Sequence, residues 1–165
     1  MKKRVKAAVL AAIVLCAAAF ALIYTRPRTL AQRYPLVDLA DCTSIEGDYS
    51  VWQGDEAHFA IEPGDPDFDA MLELLRSAAF RTRLANLFPA GTKYHLNAGG
   101  DFHWTLTLRC GDVTLADGSV LRDAPITIDN FYGDMELSSD GKTTRCTAED
   151  ALLRTVLEIA ERQTG

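Results

Sequence analysis

FHWTLTLRC, residues 102–110, alternates apolar and polar side chains along its whole length. Successive side chains of a strand point to opposite faces, so Phe102, Trp104, Leu106, Leu108 and Cys110 share one face and His103, Thr105 and Arg109 share the other. Such a stretch is a strand buried on one side and wet on the other. The residues before it extend the pattern. Pairing Leu96 with Phe102 leaves Ala98-Gly99-Gly100 as a hairpin loop, with glycine available for a left-handed position. That register sets Tyr94 opposite Trp104 and His95 opposite His103.

The same alternation recurs outward from this strand. Ile45, Gly47, Tyr49 and Val51 share one side, as do Ala57, Phe59 and Ile61 after Gln53-Gly54-Asp55. This predicts a β-hairpin with one buried face, in which Ser50 lies opposite His58. Asp117-Gly118 and Asp140-Gly141 are hairpin turn signals. Pairing across the second sets Glu136 opposite Arg145 and Met135 opposite Cys146, joining a charge pair and an apolar pair in one register.

Two stretches break into helical spacing. In DPDFDAMLELLRSAAFRTRLANLFP, residues 65–89, Asp65 is placed to cap and Pro66 to take the first helical position. Phe68, Met71, Leu72, Leu75 and Ala79 form one apolar stripe. The helix is expected to end before Pro89. Thr147-x-x-Asp150 resembles a capping box for a final helix that buries Leu152, Val156 and Ile159. The chain therefore reads as α+β: an antiparallel sheet of roughly six to eight short strands with two helices on one face.

A single membrane helix precedes this domain. AAVLAAIVLCAAAFALIY, residues 7–24, carries no charge and makes a helix about 27 Å long, against a hydrocarbon core of about 30 Å. Lys2, Lys3, Arg4 and Lys6 precede it and outnumber Arg26, Arg28 and Arg33 after it, which favours a cytoplasmic N-terminus. The expected organisation is a basic tail over 1–6, a transmembrane signal-anchor over 7–24, a juxtamembrane linker without regular elements over 25–41, and an extracytoplasmic domain over 42–165. The alternative is a secreted domain released by cleavage near Ala21, because Ala19-Phe20-Ala21 has the small-residue form of a cleavage site. Cys16 follows Leu15 rather than a small residue, and is read as an apolar residue within the helix.

Composition narrows the function. Residues 25–165 hold 13 basic against 23 acidic residues, a formal charge of −10, which is expected to repel both nucleic acid and anionic lipid head groups. Cys42, Cys110 and Cys146 form no CxxC pair, so neither a redox motif nor a cysteine zinc site is implied. A disulfide between Cys110 and Cys146 is favoured over either bridge to Cys42. Asp65, Asp67 and Asp69 alternate like calcium ligands, but Ala70 and Arg76 stand where such a loop needs glycine and glutamate. Asn97-Ala98-Gly99-Gly100 lacks the lysine and the strand-to-helix setting of a phosphate loop, and no GxSxG or HExxH occurs.

What remains is a polar sheet face carrying His58, His95, His103 and Arg109, with Trp52 beside a turn as an outward aromatic of the kind that anchors partners. The leading expectation is a membrane-anchored, non-catalytic binding module without cofactor or resident metal. It contacts the membrane through its N-terminal helix and a protein or small-ligand partner at this face. One alternative is a small metal-binding or hydrolytic domain using His58, His95 and His103, with Ser50–His58 as its nucleophile and base. Another is a structural subunit of a membrane complex.

Overall fold

A computed structural model describes residues 2–51, 56–87, 102–131 and 134–164. The chain is α+β. Strands β1 (Ser44–Val51), β2 (Glu56–Ile61), β3 (Arg81–Thr82), β4 (Phe102–Arg109), β7 (Ile126–Phe131), β8 (Asp134–Ser139) and β9 (Lys142–Thr147) form one seven-stranded antiparallel sheet in the order β2-β1-β4-β7-β8-β9-β3. A separate two-stranded ribbon joins β5 (Val113–Thr114) to β6 (Val120–Leu121).

The alternation does what the sequence predicts. Trp104, Leu106, Leu108 and Cys110 are buried on one face, with Ile45, Phe59, Ile61, Ile126, Ile128, Met135, Leu137 and Cys146 beside them. Helices α3 (Pro66–Ser77) and α4 (Asp150–Thr164) cover that face with Phe68, Met71, Leu72, Leu75, Leu152, Val156 and Ile159. Their ends are tied where Asp67 accepts hydrogen bonds from Arg162 (2.7 Å) and Gln163 (2.9 Å).

Local chemistry fixes two junctions as read. Asp65 caps α3 by accepting from the Asp67 amide at 2.8 Å, and Pro66 follows it. Asp140 (φ 51°) and Gly141 (φ 68°) make the two-residue turn between Ser139 and Lys142, and the expected pairs Glu136–Arg145 and Met135–Cys146 form.

Three expectations are corrected. First, α3 ends at Ser77 rather than continuing toward Pro89. Ala78 turns extended, Phe80 bridges Arg28, and Arg81 and Thr82 pair with β9. Fully burying Phe80 and pairing the β9 edge outweigh helix propensity in that stretch. Second, Thr147 ends β9 opposite Arg81 and does not cap the last helix. Third, residues 25–41 are not without regular structure. Helix α2 (Leu30–Arg33) is closed by a Thr29/Gln32 capping box, Asp38 caps a 3-10 turn over Leu39–Asp41, and Leu30, Val37 and Leu39 are buried. Arg33 donates to the Phe80 carbonyl (2.6 Å) and to Thr82 Oγ1 (2.9 Å).

Ahead of this segment, α1 (Lys2–Tyr24) is one continuous helix. No residue of its stretch Val5–Tyr24 is buried, and Tyr24 at its end is half-buried beside Asn86, Glu136 and Arg145. Its twenty residues reach about 30 Å, long and apolar enough to cross a membrane or to serve as a signal sequence.

Gly47 lies opposite Phe59, whose ring occupies the space a side chain on Gly47 would need. Phe59 is itself buried and held by the core. Gly47→Ala is therefore expected to lower unfolding stability by about 1–3 kcal/mol, the usual cost of overpacking. Chemical denaturation followed by circular dichroism measures this, and Ala60→Gly, at an exposed position of the neighbouring strand β2, is the control.

Candidate functional site

The burial that builds the core also sets out the opposite face. Residues one step from the buried positions must project away from the helices. They include Glu46 and Asp48 on β1, His58 on β2, His103, Thr105 and Arg109 on β4, and Asp129 on β7. These side chains are exposed or half-buried.

They meet in pairs across the strands. His58 Nδ1 lies 2.9 Å from Asp48 Oδ1. Asp129 Oδ2 accepts from Thr105 Oγ1 at 3.2 Å and lies 3.4 Å from His103 Nε2. Arg109 donates twice to Glu46, Nε to Oε1 at 2.6 Å and Nη2 to Oε2 at 2.9 Å. Further along the sheet Arg145 Nε donates to Glu136 Oε1 at 2.9 Å. The hydrogen bond from Arg109 holds the Glu46 carboxyl below the usual carboxylate range, and Glu46 in turn raises Arg109.

Of the five residues expected on this face, the structure describes three. His58 and His103 both border one polar hollow of about 380 Å³, together with Asp48, Ser50 and Glu56. Arg109 lies outside that hollow, in its pair with Glu46. Trp52 and His95 lie outside the described residues.

The register differs from expectation at both histidines. Asp48, not Ser50, faces His58, because Ser50 pairs with Glu56, a register two residues away from the one expected. The Ser50–His58 pair proposed for nucleophilic chemistry therefore does not form across this hairpin. On β4, His103 sits between Ser50 and Phe131, and Trp104 between Tyr49 and Asn130. The cross-strand places assigned to His95 and Tyr94 are thus filled from β1 and β7. Among the described residues, no three His, Cys, Asp or Glu side chains converge as a metal site would require.

Asp48, Glu46 and Asp129 were legible only in part from sequence, since a carboxylate on a wet face carries no signature until its partner is known. Asn130 was missed. It continues the inward series of Ile126 and Ile128 and is buried opposite Trp104, and neither Asn130 Oδ1 nor Trp104 Nε1 has a hydrogen-bond partner among the described residues.

Compared with known protein families, curated proteins and solved structures, the chain matches none.

The depressed carboxyl groups fix a pH dependence. Glu46 is lowered by Arg109, and Asp67 by the hydrogen bonds from Arg162 and Gln163. Their folded values lie below those of the unfolded chain, roughly 3.9 for Asp and 4.3 for Glu. The stability they contribute is complete above that range and is lost as pH falls through the folded values. The denaturation midpoint is expected to drop between pH 6 and pH 3, and to drop less in Glu46→Gln/Asp67→Asn. An equal drop in both proteins would contradict the assignment.

Proposed function

We propose that this chain is a membrane-anchored, extracytoplasmic, non-catalytic interaction module that presents the polar face of its sheet to a partner. In this reading α1 is retained in the membrane, with the N-terminal lysines on the cytoplasmic side. One observation carries the reading. Among the described residues, the helices pack on one face of the seven-stranded sheet, and the other carries a band of polar side chains around a hollow bordered by Asp48, Glu56, His58 and His103. Asp48 and Glu56 border that hollow in a domain already strongly acidic, so a protein or small ligand with basic hydrogen-bonding groups is the fitting partner. From sequence alternation Trp52, next to β1, is expected on the same surface, where a tryptophan would be its apolar anchor.

The test is photo-cross-linking in cells. A cross-linking residue is placed at Ser50 or Thr105 on the sheet face, or at Arg154 or Glu158 on the exposed side of α4. A discrete product from the face, absent from α4, is expected. It should fall at least about tenfold in Trp52→Ala/His103→Ala, because anchor residues at interface centres are worth about 2 kcal/mol or more. Equal products from both faces, or none from the sheet, would overturn the reading. The intact mass of the membrane-bound protein reports in the same preparation whether α1 is retained.

A further inference from the structure

Cys42 and Cys110 occupy a place that favours a covalent link. The Thr43 amide donates to the Arg109 carbonyl (2.8 Å), and the Gly111 amide donates to the Asp41 carbonyl (3.2 Å). These two bonds bracket Cys42 and Cys110 as a non-hydrogen-bonded antiparallel pair, whose Cα atoms stand about 4.5 Å apart. That separation falls inside the disulfide range of about 4.4–6.8 Å. Both side chains point into the core, Cys42 at 6% exposure and Cys110 at 0%. Cys146 is on β9, with β7 and β8 between it and β4. Three strand spacings put it about 14 Å away, beyond the reach of any bridge to Cys110. The Cys110–Cys146 link expected from sequence is therefore replaced by a different pairing.

We infer that Cys42 and Cys110 form a disulfide in the native protein. The oxidant is a protein disulfide of the thiol-exchange class. The Cys42 thiolate attacks one of its sulfurs and expels the other as a thiolate. Cys110 then attacks Cys42 Sγ in the mixed disulfide and expels the second thiolate. One disulfide is reduced by two electrons, one is formed, and the two thiol protons end on the released thiols. Cys42 is suited to attack first, since the Cys110 thiol hydrogen-bonded to it holds it below the ordinary thiol range. Burial of both sulfurs places the exchange before the core closes.

This inference rests on the extracytoplasmic reading, because such links persist in oxidising compartments. Protein taken from cells into alkylating reagent without reductant is digested and mapped. A Cys42–Cys110 linked peptide, alkylated Cys146 and an intact mass lower by two hydrogens are expected. Reduction should lower Tm by about 10 °C, the effect of a typical disulfide on a domain of this size. Fully alkylated Cys42 and Cys110 would overturn the inference. Refolding the reduced chain with oxidised glutathione then locates the fault: a Cys42–Cys110 link in vitro assigns it to the compartment, and none assigns it to the pairing.

Different side chains carry a binding site beside the anchor. A cavity of about 360 Å³ lies between residues 28–37, the β8–β9 turn and the β5–β6 ribbon. Arg28, Arg33 and Lys142 line it, and Asp140 is its one carboxylate. No Asp or Glu forms an ion pair with any of the three cations among the described residues. Arg33 Nε is buried without a partner. Val37 and Leu121 form apolar wall, and Leu36 at its rim is 62% exposed. Arg28 follows the last residue of α1 by four positions, a reach of at most about 14 Å. The domain's overall acidity does not decide the local field, because charges beyond about 8 Å are largely screened at physiological salt.

The geometry points to the anionic head group of a membrane lipid as the occupant, with its phosphate among the three cations and its apolar part along Leu36. This rests on α1 being membrane-embedded. Native mass spectrometry of the full chain with added phosphatidylglycerol or phosphatidylcholine tests it. Preferential retention of phosphatidylglycerol is expected. It should fall about tenfold or more in Arg28→Ala/Lys142→Ala, each cation near a bilayer surface being worth about 1 kcal/mol. Equal retention of both lipids, unchanged retention by the variant, or displacement by an equal concentration of glycerol phosphate would overturn it. The chain mass in the same spectra shows whether α1 is present, so failure of the anchor is read separately from failure of the site.

Discussion

Leu106 and Leu108 at the centre of the sheet are wholly removed from water, and the rest of the molecule is arranged around keeping them so. Each such side chain contributes roughly 1.5–3 kcal/mol on burial. A strand cannot bury one of its faces without presenting the other. The covering layer is supplied by α3, α4 and the segment after α1, which lends Leu30, Val37 and Leu39. The wet face is therefore a by-product of the core, and its chemistry is far less constrained by folding than that of the buried side.

That freedom gives meaning to the pairs found there. Surface ion pairs such as Arg109–Glu46 typically contribute about 0–1 kcal/mol, too little to explain a band of paired polar side chains by stability. What they do is fix side-chain directions. Arg109 is held by two bonds to Glu46, and Asp129 by Thr105 and His103, so the polar face is ordered rather than loosely solvated. Ordered polar groups cost a partner less entropy on binding than mobile ones. The buried and unpartnered atoms of Trp104 and Asn130 lie on the other side of the same strands. Among the described residues, they depart from the rule that buried polar groups find partners.

Much of the fold was legible where local chemistry decides it. The two-residue Asp140-Gly141 turn dictates its own register, and Asp65-Pro66 starts a helix by capping alone. What was not legible depends on contacts distant in sequence. Nothing within residues 66–88 says that Phe80 will meet Arg28 or that Arg81 and Thr82 will join β9, yet those contacts end the helix. The site shows the same division. Alternation sends His58, His103 and Arg109 outward, but which carboxylate meets each depends on register, and a register two residues from the expected one places Asp48 rather than Ser50 opposite His58. Cys42 is the sharpest case. Strict alternation from Ile45 would turn it away from the core, but Thr43 and Ser44 both stand opposite Arg109. This β-bulge returns Cys42 to the inner face.

The same segment bears on how the domain is held. A flexible linker of seventeen residues would span roughly 20–25 Å and let the domain tumble about the end of α1. Residues 28–41 do not behave as one. Arg28 bridges Phe80, Arg33 binds the Phe80 carbonyl and Thr82, Arg76 donates to the Leu39 carbonyl at 2.8 Å, and Asp41 is bonded to Gly111 beyond β4. Only the residues between Tyr24 and Arg28 are left to act as a joint. With α1 in a bilayer, so short a connection holds the domain close to the surface and limits the directions the polar face can take. Under that constraint, a partner reaching this face approaches from the same side of the membrane and at little height above it.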